Sequence, residues 1–374
     1  MKKALIHIGS SKTGSTSIQR ALSFREYDSA VSFPIFECWE QHNPLLLSYY
    51  SRENWTDNYV CKFWNYSDSN AEKWTQGYRK RWLHAIRNAG STIVSSEMMF
   101  NYNNEAILRF KQDFIDSGYD EFLVVVYIRR PSDHYRTLVP QLLQNHINYV
   151  LPDHYNYNIK DSLLNWSKAF PGSVECRKYE SIKDDRFNVV DDFFDIADSF
   201  FSVELDRSNI SIISNPTLPV EALILSHQFR TYLGIKDLQG INRQYEKFLI
   251  KCRNVLEKKN IQFTRPELKQ KVAFYVDYRH RRDIEYLIDE YGLDVQDWLV
   301  DRKDLDVPGF DRKDFLSILT GYSPEALDKL TFLLFQKFIE PDYTLKRLLG
   351  RYLRKKVWQF RKFLKTFIMM NFGR

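Results

Sequence analysis

Four short apolar runs punctuate the chain, and each ends in polar or charged residues: Ala4–Ile8, the centre of Ser91–Glu97, Phe122–Ile128 and Val174–Tyr179. Runs of this length bounded by turn residues predict buried strands. The intervals between them carry a helical period. Ile18, Ala21 and Leu22 recur after Gly14, and His134, Tyr135, Thr137, Leu138, Leu142 and Leu143 follow Pro131. Pro140 is expected to interrupt that second helix, because proline lacks the N–H a helix interior needs. Further helices are predicted through Val189 to Phe194 and from Ser214-Asn215-Pro216 through Leu223, Ile224 and Phe229. Another starts at Ser323-Pro324-Glu325, carries Leu327, Leu330, Leu333, Leu334 and Phe338, and ends at Pro341. Residues 236–310 read as helical and highly charged. Strands alternating with helices predict an α/β fold, a central parallel sheet flanked by helices.

The turn after the first strand is Gly9-Ser10-Ser11-Lys12-Thr13-Gly14-Ser15-Thr16-Ser17. A helix beginning at Gly14 or Ser15 presents unpaired N–H groups and the positive end of its dipole to an anion. The two glycines allow close backbone approach, the hydroxyls donate, and Lys12 adds a point charge. Gly9 and Gly14 have the separation of a Walker A loop, and Thr16 takes the place of its magnesium-binding hydroxyl. Ser15 occupies the lysine slot, however, and the lysine lies ahead of the second glycine, which argues against an ATPase or kinase. The third apolar run ends in Arg129-Arg130-Pro131, with Pro131 suited to a first helical turn. A second strand thus delivers an arginine to the carboxyl edge of the sheet, where ligands of parallel sheets bind.

Lys-Thr-Gly-Ser-Thr-Ser-Ile-Gln, residues 12–19, resembles the 5′-phosphosulfate loop of sulfotransferases that use 3′-phosphoadenosine-5′-phosphosulfate (PAPS). It is most similar to bacterial carbohydrate-type members that open His-Ile-Gly-x-x-Lys-Thr-Gly, and every such position is met between His7 and Gln19. The resemblance extends over roughly residues 3–235 and implies a P-loop-NTPase-like three-layer fold. It implies that Lys12, Thr13, Gly14, Ser15, Thr16 and Ser17 hold the 5′-phosphate and sulfate, with Lys12 also neutralising the leaving bridging oxygen. Arg129 falls on the family's 3′-phosphate arginine, and Thr137 stands where the family has serine eight residues later. Arg130 is the neighbour most easily mistaken for that ligand. Glu97, after Ser95-Ser96, falls on the family's proposed general base. A carboxylate can take the acceptor hydroxyl's proton as the new bond forms. His42 is the second candidate base, His7 reads as a satisfied core histidine, and His134 reads as solvent-facing. The glycine-rich late element of cytosolic animal enzymes is absent, so the adenine contacts stay unassigned.

Aromatic residues reach 16% and crowd residues 33–85, where core packing is favoured over a sugar platform. Cys38, Cys61, Cys176 and Cys252 show no paired spacing and read as reduced thiols of a cytoplasmic protein. No run is apolar enough for a membrane span, and with the loop starting at Gly9 the N-terminal membrane anchor of animal Golgi sulfotransferases is not expected here. The sequons at Asn54, Asn65, Asn165 and Asn209 are then accidental. Residues 343–374 carry ten Lys/Arg and no Asp or Glu, while the rest holds 44 basic against 48 acidic residues, a formal −4. The net +6 therefore comes from this tail, a basic amphipathic helix suited either to an anionic membrane surface or to docking on protein.

The expected organisation is a sulfotransferase domain over 1–310, a helical segment over 311–341 and the basic helix over 342–374. The expected function is PAPS-dependent sulfuryl transfer (EC 2.8.2) to a carbohydrate or glycolipid hydroxyl, releasing 3′-phosphoadenosine-5′-phosphate (PAP), with no metal and no nucleic acid. The expected place is the cytoplasm, or the inner face of the cell membrane through the tail. A P-loop nucleotide kinase is the alternative that the lysine placement opposes. A non-catalytic membrane-associated adaptor on the same fold is the alternative that Lys12, Arg129 and Glu97 oppose.

Overall fold

Five strands pair in parallel: β1 Lys2–His7, β2 Val31–Ser32, β3 Ser91–Ser95, β4 Tyr119–Ile128 and β5 Val174–Lys178, in the order β2-β3-β1-β4-β5. The structure is a computed structural model. It describes residues 1–23, 31–36, 42, 45–50, 68–145, 149–180, 188–205, 207, 217–234, 243–258, 261–302, 309–310 and 314–339. Four of the five strands are the apolar runs of the sequence. The register sets Leu5 beside Ile93 and Leu123, and Ile6 beside Val94 and Val124. Alternate residues face opposite sides of a sheet, so these two rows demand cover on both faces.

One face is covered by helices Ser15–Ser23 and Val189–Phe201. Ile18, Leu22, Phe193, Phe194 and Ala197 pack there with Leu5, Ile93, Val125 and Tyr127. Each such fully buried large side chain contributes roughly 1.5–3 kcal/mol. The other face meets an aromatic cluster in which Phe122 touches Phe114 and Phe170, and Trp166 joins Phe110 to Phe170. From the aromatic-rich stretch, Phe33, Tyr49, Tyr78 and Trp82 are buried, so packing accounts for them. The central parallel sheet between helical layers is the α/β, P-loop-like three-layer arrangement. β1 lies between β3 and β4, with β2 beyond β3 and β5 beyond β4. The carboxyl ends of β1, β3 and β4 thus meet at the point where the strand order reverses, the place such sheets bind ligands.

The described residues fall into two compact units. One lies within Met1–Tyr135, Asp153–Asn215 and Gln270–Pro308 and holds the sheet. The other lies within Arg136–Pro152, Pro216–Lys269 and Gly309–Arg374. In the second, helices Val220–Leu233, Arg243–Lys258 and Pro324–Ile339 pack together, with Phe229 stacked on Phe248 at 4.6 Å. Buried Glu221 accepts from Thr264 N–H and Oγ1–H and from Ser323 N–H, tying the start of one helix to the approach of another. Cys176 and Cys252 are buried free thiols.

Helix Pro131–Asn145 runs on through Pro140 instead of stopping there. Proline in a helix interior costs about 3 kcal/mol, and burial of Val139, Pro140 and Leu143 offsets it. The two-residue β2 gave no apolar run to read. Cys38, Cys61, Asn54, Asn65, Asn209, Asn215, Pro341 and the basic tail lie outside the described residues. No helix among the described residues is long and apolar enough to cross a membrane.

Candidate active site

The loop from Gly9 to Ser17 leaves the carboxyl end of β1 and enters helix Ser15–Ser23. Its backbone is shaped by two left-handed residues, Lys12 at φ +66° and Gly14 at φ +79°. A non-glycine residue in that region is uncommon and marks a site where the surroundings impose the conformation. Left-handed turns of this kind gather successive N–H groups into an anion-binding concavity. Among the described residues, the amides of Thr13, Gly14, Ser15 and Thr16 meet no backbone carbonyl. Space requires both glycines. A Cβ on Gly9 would stand 2.4 Å from Ser15 Oγ, and one on Gly14 would stand 2.6 Å from Val189 Cγ1.

The hydroxyls divide. Thr13 Oγ1 donates to the Ser10 carbonyl at 2.6 Å, and Ser15 Oγ donates to the same oxygen at 3.4 Å. Both side chains are buried and brace the loop from within, so Ser15, read above as an outward hydroxyl donor, offers its amide instead. Thr16 is exposed and Ser17 half-buried. Lys12 is half-buried.

Arg129 follows β4 directly, is 8% exposed, and donates from Nη1 to the Lys12 carbonyl at 3.1 Å. Its guanidinium lies 5.2 Å from the Tyr179 ring centre. Arg130 points elsewhere: Nε donates to buried Asp277 at 2.7 Å. Asp277 also accepts from Ser132 N–H and Oγ–H, both at 2.8 Å, and so caps helix Pro131–Asn145. Burial raises Asp277 to about 6 despite Arg130 beside it. The two adjacent arginines thus have separate partners, one the Lys12 carbonyl of the loop and one a buried carboxylate. Thr137 lies half-buried in the same helix, counted with the second unit.

Glu97 opens a short 3-10 turn, Glu97–Asn101, immediately after β3, and is half-buried. The strand end before it is held from several sides. His42 N donates to the Ser95 carbonyl at 3.0 Å, and Ser95 N donates to His42 Nδ1 at 3.0 Å. His42 Nε2 must then carry its hydrogen, donated to the Pro34 carbonyl at 2.6 Å. Burial drives this imidazole down to about 4, so it is neutral with both nitrogens engaged. His42 holds the strand that carries Glu97. Ser95 Oγ also meets His7 Nδ1 at 2.7 Å and Gln19 Nε2 at 3.1 Å. His7 is a core residue as read, yet only half satisfied, since its Nε2 has no partner among the described residues.

The structure therefore brings the Lys12 loop and Arg129 into contact and sets Glu97 at the end of the neighbouring strand. No family profile and no curated protein matches the chain. In fold it is similar to a sulfotransferase from Alicyclobacillus acidocaldarius, at 13% identity and a TM-score of 0.36, over 69% of this chain and 97% of that one.

Sequence reading missed the supports of the loop. His134, read as solvent-facing, is 5% exposed, with Nε2 3.0 Å from Ser11 Oγ and Nδ1 2.6 Å from Tyr155 Oη. Tyr157 Oη lies 2.6 Å from Ser10 Oγ. Asp277 was equally unforeseen. Nothing in the local pattern pointed to these residues, whose bonds to Ser10, Ser11 and Ser132 each span more than 100 positions of chain. His134 is the exception only in that it follows Arg130 in the first turn of its helix, where it was seen but assigned to solvent. Among the described residues no cluster of three or more His, Cys, Asp or Glu side chains is placed to hold a metal ion.

Proposed function

We propose that the chain transfers a sulfuryl group from PAPS to a hydroxyl of a carbohydrate or glycolipid acceptor. The observation that carries this reading is the left-handed Lys12 loop joined through its carbonyl to Arg129. A cradle for one anion and a planar cation for a second lie side by side, as a donor with 5′- and 3′-phosphates requires. The residues fit that substrate: converging amides of Thr13, Gly14, Ser15 and Thr16, hydroxyls of Thr16 and Ser17, and the charges of Lys12 and Arg129.

In the proposed reaction the acceptor oxygen attacks sulfur in line with the bridging oxygen. The new O–S bond forms as the S–O bond to phosphate breaks, PAP leaves, and the acceptor's proton passes to Glu97. Lys12 stabilises the negative charge growing on the bridging oxygen, and the loop amides hold the phosphate. Such transfers depend mainly on positioning and charge stabilisation. Arg129 holds the 3′-phosphate. The basic tail, residues 343–374, gives the enzyme a seat on an anionic membrane surface where a lipid-linked glycan is presented.

Thermal shift with PAP and with ATP–Mg tests the donor, followed by transfer of labelled sulfate to a glycan panel. At about 100 times its Kd, PAP should stabilise by roughly 2.7 kcal/mol. Stabilisation by ATP–Mg alone overturns the proposal in favour of a kinase. PAP binding with no transfer to any acceptor overturns the catalytic part and leaves an adaptor.

A further inference from the structure

Three consecutive loop residues are each held by one side chain from outside the loop. Tyr157 meets the Ser10 hydroxyl, His134 meets the Ser11 hydroxyl, and Arg129 meets the Lys12 carbonyl. The hydrogen positions follow from the partners. Ser10 Oγ donates to the Tyr127 carbonyl at 3.0 Å, so Tyr157 Oη is the donor to Ser10. Tyr157 Oη in turn lies within reach of Arg129 N–H at 3.5 Å. Ser10 also accepts, through its own carbonyl, the hydroxyls of Thr13 and Ser15. It is therefore the residue through which the inside of the loop and its outer supports are connected.

The supports are themselves rigid. The rings of His134 and Tyr157 stack at 4.0 Å between centres. Tyr157 N–H donates to His280 Nε2 at 3.1 Å, and His280 Nδ1–H donates to the Val276 carbonyl at 2.8 Å. Tyr155 Oη closes the far side of His134. Helix Gln270–Arg279, which carries Val276, also supplies Asp277 to Arg130 and Ser132. A single buried platform thus grips the loop and the segment that follows Arg129. Burial is the main reason that His134 stays uncharged, with Arg129 and Lys12 adding to it. His134 itself therefore brings no charge to the loop that it supports.

We propose that Tyr157 and His134 are positioning residues that hold Ser10 and Ser11 so that Lys12 keeps the left-handed backbone on which the anion cradle depends. The proposal rests on reading this loop as the donor cradle. A left-handed lysine is disfavoured unless its neighbours impose it, and these contacts on either side impose it here. On that reading the platform acts through the loop and not on the acceptor or the reacting atoms. Its removal should weaken donor binding and leave the acceptor KM alone.

The test compares Tyr157→Phe, which removes one hydroxyl and keeps the stacked ring, with Tyr119→Phe. Tyr119 Oη donates to the Ile86 carbonyl at 3.0 Å, so the control removes a buried hydroxyl hydrogen bond of the same kind beside the start of β4. Titration calorimetry with PAP and with inorganic pyrophosphate is run on wild type, both variants and His134→Ala, beside the melting curve of each apo protein. Tyr157→Phe should bind both probes about tenfold more weakly, the size expected for one lost hydrogen bond. Tyr119→Phe should lower the apo melting temperature comparably and leave both affinities unchanged. The losses from Ser10→Ala and Tyr157→Phe should be less than additive in the double variant, because the bond between them is lost in either single variant, while Ser10→Ala also loses its bond to the Tyr127 carbonyl. If wild type and Tyr157→Phe bind PAP equally, the inference falls while the functional reading stands. If wild type binds pyrophosphate and not PAP, the functional reading falls and the ratio for pyrophosphate decides the inference. A wild-type chain that binds neither overturns both.

Discussion

Arg129 Nη1 donates to the main-chain carbonyl of Lys12 at 3.1 Å, across 117 positions of chain. The guanidinium that faces the proposed 3′-phosphate therefore also fixes the loop that faces the proposed 5′-phosphate. A planar fork can serve two partners at once, whereas an ammonium is a point charge on a flexible stem. Arg129→Lys should accordingly weaken PAP binding by about tenfold or more, and Arg129→Ala further, since hydrogen bonds to charged groups contribute about 1.5–3 kcal/mol. Calorimetry measures it. Arg130→Lys, which leaves a charge near Asp277, should change PAP affinity far less, and equal losses at the two positions would contradict their separate roles.

Gly14 and Gly172 both have positive φ, at +79° and +69°. A Cβ on Gly14 meets Val189 Cγ1 at 2.6 Å, while one on Gly172 meets nothing within 4 Å. Gly172→Ala should lose only the backbone cost, about 1–2 kcal/mol. Gly14→Ala should lose more and should also lose PAP binding. Adding Val189→Ala should recover part of the stability difference in urea melts, because it clears the clash.

Glu97→Gln keeps the shape of the side chain and removes its basicity. Turnover should fall by about 100- to 10,000-fold, the usual contribution of a general base, with PAP affinity unchanged. Activity near wild type would place the base elsewhere. His42→Ala should behave differently: it removes the Nδ1 acceptor of the Ser95 N–H and the Nε2–H bond to the Pro34 carbonyl, so the melting temperature drops together with turnover.

Acid should unfold the sheet unit through its histidines. Burial lowers His7 and His134 to about 3 and His42 to about 4, against 6.5 in the unfolded chain. As pH falls from 6.5, the unfolded state takes up three protons that the folded state refuses, so these groups lose stability on acidification. Asp277 acts oppositely: raised from 3.8 to about 6, it is protonated first in the folded state and gains stability as pH falls through that interval. His280, lowered by burial, and Asp283, raised by burial, oppose each other, so the excess of imidazoles leaves a net loss on the order of 2–3 kcal/mol per pH unit between pH 6 and 4. Denaturant midpoints at pH 7, 6 and 5 measure it. Equal midpoints at pH 7 and 5 would contradict three buried neutral imidazoles.

Four strands and the helices after Gly14, Pro131 and Pro324 were legible because periodicity and turn residues act over a few positions. The run from Phe122 to Ile128 needed no partner to be recognised as a strand. The two residues of β2 were not legible, since Val31–Ser32 pair only because β3 is beside them. Pro140 misled because the local cost of proline is visible in sequence and the burial that offsets it is not. At the candidate site, Lys12, Gly14, Arg129 and Glu97 were singled out from their places after strands together with the resemblance. Their supports Tyr155, Tyr157, His134, His280 and Asp277 were not recognised, for their contacts link distant parts of the chain.

The sequence by itself determined the alternation of strands and helices, the glycines of the loop and the charges near it, because each follows from short-range backbone preference and side-chain chemistry. The resemblance singled out Arg129 over Arg130, but only the tertiary structure decided what each contacts, the Lys12 carbonyl for one and buried Asp277 for the other. It likewise turned the Ser15 hydroxyl inward and made His42 a strut for Ser95. Those outcomes depend on which groups are buried together. A buried donor or acceptor must find its partner wherever the fold has put one, and no local pattern records that place.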